Sequence, residues 1–66
     1  MTQVVKYTVC AGIIELDQHE TELNYKHISE GFTVLDDAIA DYKEWERMGY
    51  RNNISRRFIR IDIDDA

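Results

Sequence analysis

The sequence predicts a small α+β domain: a three-stranded, antiparallel-type sheet with one helix packed on one face, in the order ββαβ. Three runs of periodicity carry that prediction. From Val5 to Ile13 the odd positions are Val5, Tyr7, Val9, Ala11 and Ile13, and the even ones are Lys6, Thr8, Cys10 and Gly12, the alternation of a strand with one face toward a core. Ile59, Ile61 and Ile63 alternate with Arg60, Asp62 and Asp64 in the same way. Between these stretches Leu35, Ala38, Ile39, Tyr42 and Trp45 recur at helical spacing and form one apolar stripe.

The first strand is expected over residues 4–16, with a bulge and a bend at Gly12, which has no side chain to pack. Asp17-Gln18-His19-Glu20 is polar and turn-like, and Leu23, Tyr25 and His27 alternate after it, so a hairpin leads to a second strand over 22–29. A plain four-residue turn would pair Ile14 with Leu23 and Gly12 with Tyr25, which turns the apolar residues of the second strand away from the core. One extra residue, such as a bulge at Gly12, would return them to it. Gly31 interrupts the pattern, and Thr33 with Asp36 has the spacing of a helix N-cap and its partner. The helix therefore starts near Val34. Asp36 and Asp37 suit the positive end of its dipole, Arg47 the negative end, and Gly49 its C-terminal cap. The third strand follows over 57–64.

In this arrangement the helix covers Val5, Val9, Ile13, Ile59, Ile61 and Ile63. The opposite sheet face carries Thr8, Cys10, Ile14, Leu16 and Phe58, more apolar surface than a single-layer sheet normally leaves to water. Sixty-six residues make one domain, residues 1–66, with a thin core. Cys10 is the sole cysteine, so neither an internal disulfide nor a cysteine-rich zinc site can reinforce it. Self-association remains, and the expected oligomer interface is Cys10, Ile14, Leu16 and Phe58. The start MTQVVKYTV has neither the charged beginning nor the long apolar stretch of a signal peptide, which leads to the expectation of a cytoplasmic protein.

Charge is strongly segregated. Residues 15–46 hold ten acids against Lys26 and Lys43, whereas residues 47–60 hold five arginines and no acid, within a chain of net charge −5. Such a dipole steers and orients a chain on a partner. The acids Glu30, Asp37, Asp41 and Glu44 are the expected partner-binding face, suited to a basic protein surface. The loop with Tyr50, Arg51, Asn53, Arg56 and Arg57 is the alternative, an anion-binding site for nucleic acid or a small anionic ligand. Nucleic acid is disfavoured as a partner because the calculated pI is about 4.8, where such domains are usually basic.

Catalytic and metal chemistry find little support. Asp62, Asp64 and Asp65 form a short carboxylate cluster, but no glycine-containing calcium loop accompanies it, and acids on a terminal strand also guard an edge against aggregation. Cys10, His19 and His27 could supply a nucleophile and a base, yet an enzyme also needs an orienting group, an oxyanion site and a dry pocket. No phosphate loop, zinc motif or nucleophile elbow is present. The expectation is thus a non-enzyme without catalytic residues, metal or cofactor. Of the aromatics, Tyr42 and Trp45 fit the core stripe and Tyr50 is the expected exposed one.

In size, acidity, ββαβ plan and lack of catalytic apparatus, the chain resembles the small accessory proteins of phages and mobile elements, several of which bind and inhibit a host enzyme or a defence complex. The resemblance is one of type and transfers no residues. It implies a protein-binding inhibitor or adaptor acting by charge complementarity; the longest apolar runs are only a few residues, so no role at a membrane is expected.

Overall fold

A computed structural model describes residues 4–65. Strand β1 spans Val5–Leu16, β2 Thr21–Ile28 and β3 Arg57–Asp65, with helix α1 at Leu35–Arg47. The expected ββαβ order is found, and the sheet order is β2-β1-β3 with both pairings antiparallel. The long central strand is thus shared by two edge strands. No helix among the described residues is long and apolar enough to cross a membrane.

The register decides which side chains share a face. Against β3, Val9 lies opposite Ile61 and Ala11 opposite Ile59, while Cys10 lies opposite Arg60 and Gly12 opposite Phe58. The first set faces the helix, which contacts both β1 and β3. Against β2, the plain turn register holds near the hairpin tip: Ile14 pairs with Leu23 and Gly12 with Tyr25. A bulge follows between Ala11 and Gly12, and Ala11 then pairs with His27, so Lys26 is the extra residue. The register shift lies beside Gly12, as the sequence suggested, but the extra residue belongs to β2 and not to β1, and it does not return the apolar residues of β2 to the core. Leu23 and Tyr25 lie before it and stay on the open face, and only His27 is carried to the helix side.

Gly12 is required by close approach. A Cβ there would clash with the Asn24 carbonyl oxygen and lie 2.9 Å from the Phe58 ring, because Phe58 lies across the strand at this point. Beyond β2, Ser29 continues the pairing through its amide to the Val9 carbonyl at 2.9 Å, and its Oγ accepts from the Val9 amide at 2.8 Å. Tyr7 and Phe32 then exchange both backbone hydrogen bonds, at 2.8 and 2.9 Å, and the chain enters α1.

The helix start differs from expectation. Its N-cap is Val34, with extended backbone and no side-chain cap, so Thr33 lies one residue too early for its hydroxyl to serve the first turn. Thr33→Ala is therefore expected to change stability by less than about 0.5 kcal/mol, instead of the about 1 kcal/mol of a capping hydroxyl; chemical denaturation of the two proteins checks this. The C-terminus matches the sequence reading. Gly49 adopts φ +105°, its amide donates to the Glu46 carbonyl at 3.0 Å, and the Tyr50 amide donates to that of Trp45 at 3.2 Å, the paired bonds of a Schellman motif.

The core is small. Val9, Cys10, Ala11, Ala38, Phe58 and Ile59 are buried, and Ala38 is the sole buried residue of α1. Leu35 is 44% exposed, while Ile39, Tyr42 and Trp45 are half-buried. The stripe thus touches the sheet without being enclosed by it, as expected when one helix lies on three strands with nothing beyond. The molecule measures 47 × 27 × 15 Å, a long, thin plate.

Candidate functional site

Two surfaces present themselves, one on each side of the sheet. On the helix side, the bulge at Lys26 aims His27 at α1. Its imidazole stacks on Trp45 with ring centroids 4.2 Å apart and planes 16° from parallel, and its Nε2 lies 2.8 Å from Asp41 Oδ2. Trp45 in turn meets the edge of Tyr50 at 5.4 Å, and the Arg57 guanidinium lies 5.6 Å from the Tyr50 centroid. One line of aromatic and charged groups, His27–Trp45–Tyr50–Arg57, thereby fastens α1 to β2 and to the loop before β3. Tyr50, expected to be exposed, is half-buried within this line.

This arrangement redraws both charged candidates. Of the expected acidic face, Asp41 is turned inward to His27, and Glu44 pairs with Arg47 at 2.6 Å. Asp37 and Glu30 are exposed. The hairpin end adds acids that the expected face did not include. Glu15 and Glu22 stand directly opposite each other across β1 and β2, with Asp17 and Glu20 beside them at the turn. The turn is closed by the Asp17 amide donating to the Glu20 carbonyl at 2.8 Å, and Asn24 Nδ2 donates to Glu15 Oε1 at 2.9 Å. Like charges directly opposed in a ladder are destabilising. Glu22→Lys should accordingly stabilise the protein by about 0.5 kcal/mol, read as a higher denaturant midpoint at unchanged slope.

The arginine loop is largely occupied with its own fold. Arg57 Nη1 donates to the Gly49 carbonyl at 3.0 Å and Arg51 Nε to that of Glu46 at 3.3 Å, so two of the three guanidinium groups supply the helix C-terminus with donors. Asn52, not singled out from the sequence, holds the loop to β3 by accepting from the Ile59 amide at 3.2 Å. Asn53, Ser55 and Arg56 have left-handed backbones. The last two form a tight turn closed by the Arg57 amide to the Ile54 carbonyl at 2.8 Å, and the Arg56 carbonyl accepts from the Ile14 amide at 2.6 Å. Arg56 points its charge to solvent from this turn.

The open side of the sheet carries a compact polar and aromatic group. Tyr25 meets Phe58 edge-on at 5.5 Å, and the Arg60 guanidinium lies 5.3 and 5.5 Å from those two ring centroids. Arg60 Nη2 donates to the Tyr25 hydroxyl at 2.8 Å and Nε to Asp62 Oδ1 at 2.8 Å. The bond from Asp62, then that from Tyr25, raises the Arg60 pKa, and Arg60 holds the Asp62 carboxyl below its usual range. Cys10 lies beneath, its thiol 3.6 Å from Asp62 Oδ2; burial first, and then the Asp62 charge, push its pKa up, which keeps it a protonated thiol. The sheet separates Cys10 from His27, and His19 lies at the exposed turn, so the three are not brought together. Among the described residues no group of three or more His, Cys, Asp or Glu side chains could hold a metal ion.

Cys10 and Phe58, expected at an oligomer interface, are only 4% and 7% exposed, because Tyr25 and Arg60 of the same chain cover them. The accessible apolar surface of this face is instead Leu16, Leu23, Tyr25 and Ile28, each 40–61% exposed, with Ile14 half-buried among them. A shallow hollow of about 530 Å³ lies beside it, lined by Thr8, Cys10, Tyr25, Ile28, Arg60 and Asp62 among others. Comparison with protein-family models, with curated proteins and with solved structures returned no match.

Proposed function

We propose that the chain is a non-enzymatic protein-binding module, an inhibitor or adaptor of the cytosol that self-associates and engages a basic surface on another protein through its acidic hairpin and helix. One observation carries this reading. Of the ten acids between Glu15 and Glu46, only Asp41, against His27, and Glu44, against Arg47, contact a basic side chain among the described residues. The rest keep their field for an external partner. Two carboxylates forced opposite each other at Glu15 and Glu22 add a local cost that a partner's lysines or arginines would relieve. The anion-binding alternative has less to work with, since Arg51 and Arg57 are committed to the helix end.

Asp41 is unsuitable for testing this idea because changing it would also free His27. The informative variant is Glu20→Lys/Glu22→Lys/Asp37→Lys, set beside Arg51→Gln/Arg56→Gln, with all three proteins immobilised and exposed to the same bacterial lysate. The proposal expects proteins that the unaltered chain and the arginine variant retain and the acid-reversed variant loses. Retention lost only with the arginine variant would move the site to the loop.

A further inference from the structure

We infer that the open sheet face is covered by a second copy of this chain, packed face to face about a two-fold axis through Leu16, Leu23, Tyr25 and Ile28. The occupant follows from charge. Apart from Lys26, which sits in the bulge between the two faces, the register puts Lys6, Arg60, Asp62 and Asp64 as the charged strand residues of this side. Two are basic and two acidic, so the net −5 of the chain lies elsewhere. A basic partner finds no field here to read. Two copies of an acidic chain, however, can meet on this face without bringing their like charges together, and an isologous contact needs only a self-complementary patch.

The polar groups of the face are already arranged for burial. Arg60 is bonded to Asp62 and to the Tyr25 hydroxyl within one chain, so covering the pair leaves no uncompensated charge. The edges discourage the other mode of self-association, extension of the sheet. The Lys26 bulge and Glu22 break the outer side of β2, and Asp62, Asp64 and Asp65 line the end of β3. Size agrees as well. The 47 × 27 Å plate has ample room for the about 800 Å² that each subunit gives to a standard interface. A single chain with so few buried residues gains the second layer that its core lacks. The assembly has four layers, helix–sheet–sheet–helix, with α1 outermost on both sides. Its bivalent presentation of acidic helices rests on the acidic-surface reading proposed above; the dimer itself gives a surface to the self-association named there and does not depend on a partner.

The test is the solution mass of the full chain by sedimentation equilibrium, for the unaltered protein, Leu23→Lys/Ile28→Lys and Glu20→Lys/Glu22→Lys/Asp37→Lys, with circular dichroism alongside. The expected results are twice 7.8 kDa for the first and third at micromolar concentration, and, for the second, self-association weakened by about 100-fold or more so that it sediments as a monomer. The Tm of the unaltered protein should rise with concentration. If the Leu23/Ile28 variant unfolds while that concentration dependence holds, the dimer is required for folding and the inference stands. A 7.8 kDa unaltered protein with a concentration-independent Tm overturns it, as does a Leu23/Ile28 variant that stays dimeric. Loss of lysate partners by the acid-reversed variant while its mass stays doubled separates the two proposals.

Discussion

Gly12→Ala is expected to remove about 3 kcal/mol of stability, a large share of what so small a domain has. The added methyl group would clash with the Asn24 carbonyl oxygen and meet the Phe58 ring at 2.9 Å, the first of which is backbone and has no rotamer by which to escape. Relief requires β1 and β2 to part next to the bulge, or Phe58 to leave its place over the strand. Overpacking of this kind costs about 3 kcal/mol or more, and a domain of this length has only about 3–10 kcal/mol in total. Circular dichroism of the purified variant checks it. A folded Gly12→Ala protein with an unchanged Tm would show that the strands are not this close.

Phe58→Ala is expected to cost about 3–5 kcal/mol. The ring is 7% exposed although it lies on the side of the sheet away from the helix, because it fills the space over Gly12 and supports Tyr25 and Arg60. Its removal leaves a cavity that Gly12 cannot fill, and the Arg60 guanidinium loses one of its two aromatic neighbours. Arg60→Ala offers a comparison, since that side chain is partly solvated and should cost less. Denaturation midpoints in the reverse order would place the strength of this face in the Arg60–Asp62 pair and not in the aromatic packing.

The secondary structure was legible because each element repeats its signal. Three isoleucines at alternate positions define β3, and the Leu35 to Trp45 stripe with Gly49 behind it defines α1 and its end. Features that depend on a single residue were less legible. The second strand alternates correctly, but which way Leu23 and Tyr25 face depends on whether the extra residue comes before or after them. It comes after, at Lys26, and the lysine carries no mark of that. Thr33 has the right chemistry for a cap, yet the helix begins one residue later than it would need.

The site was legible in composition and much less so in geometry. Segregation of acids from arginines was plain in the sequence, but Asp41 and His27 are fourteen positions apart and their contact at 2.8 Å is made by the packing of α1 over the sheet. Arg51 and Arg57 read as free cations because the sequence does not show that the carbonyls at the end of α1 lie within their reach. Cys10 and Phe58 read as exposed apolar residues for a similar reason: the side chains that cover them, Tyr25 and Arg60, come from β2 and from two positions along β3. A single-layer sheet can thus bury part of its open face with its own long side chains while leaving Leu16, Leu23 and Ile28 exposed.

Whether the acidic surface is the recognition surface is tested most directly by the rate at which the chain associates with a protein it retains, measured across a series of salt concentrations. Exposed charges act mainly on encounter and are screened over about 8 Å at physiological ionic strength. The account predicts that association slows by about tenfold or more from low to physiological salt. It also predicts that Glu20→Lys/Glu22→Lys/Asp37→Lys is slow at every salt concentration, and that Arg51→Gln/Arg56→Gln follows the unaltered protein. An association rate indifferent to salt and to the acid reversal, with binding lost in the arginine variant, would contradict it.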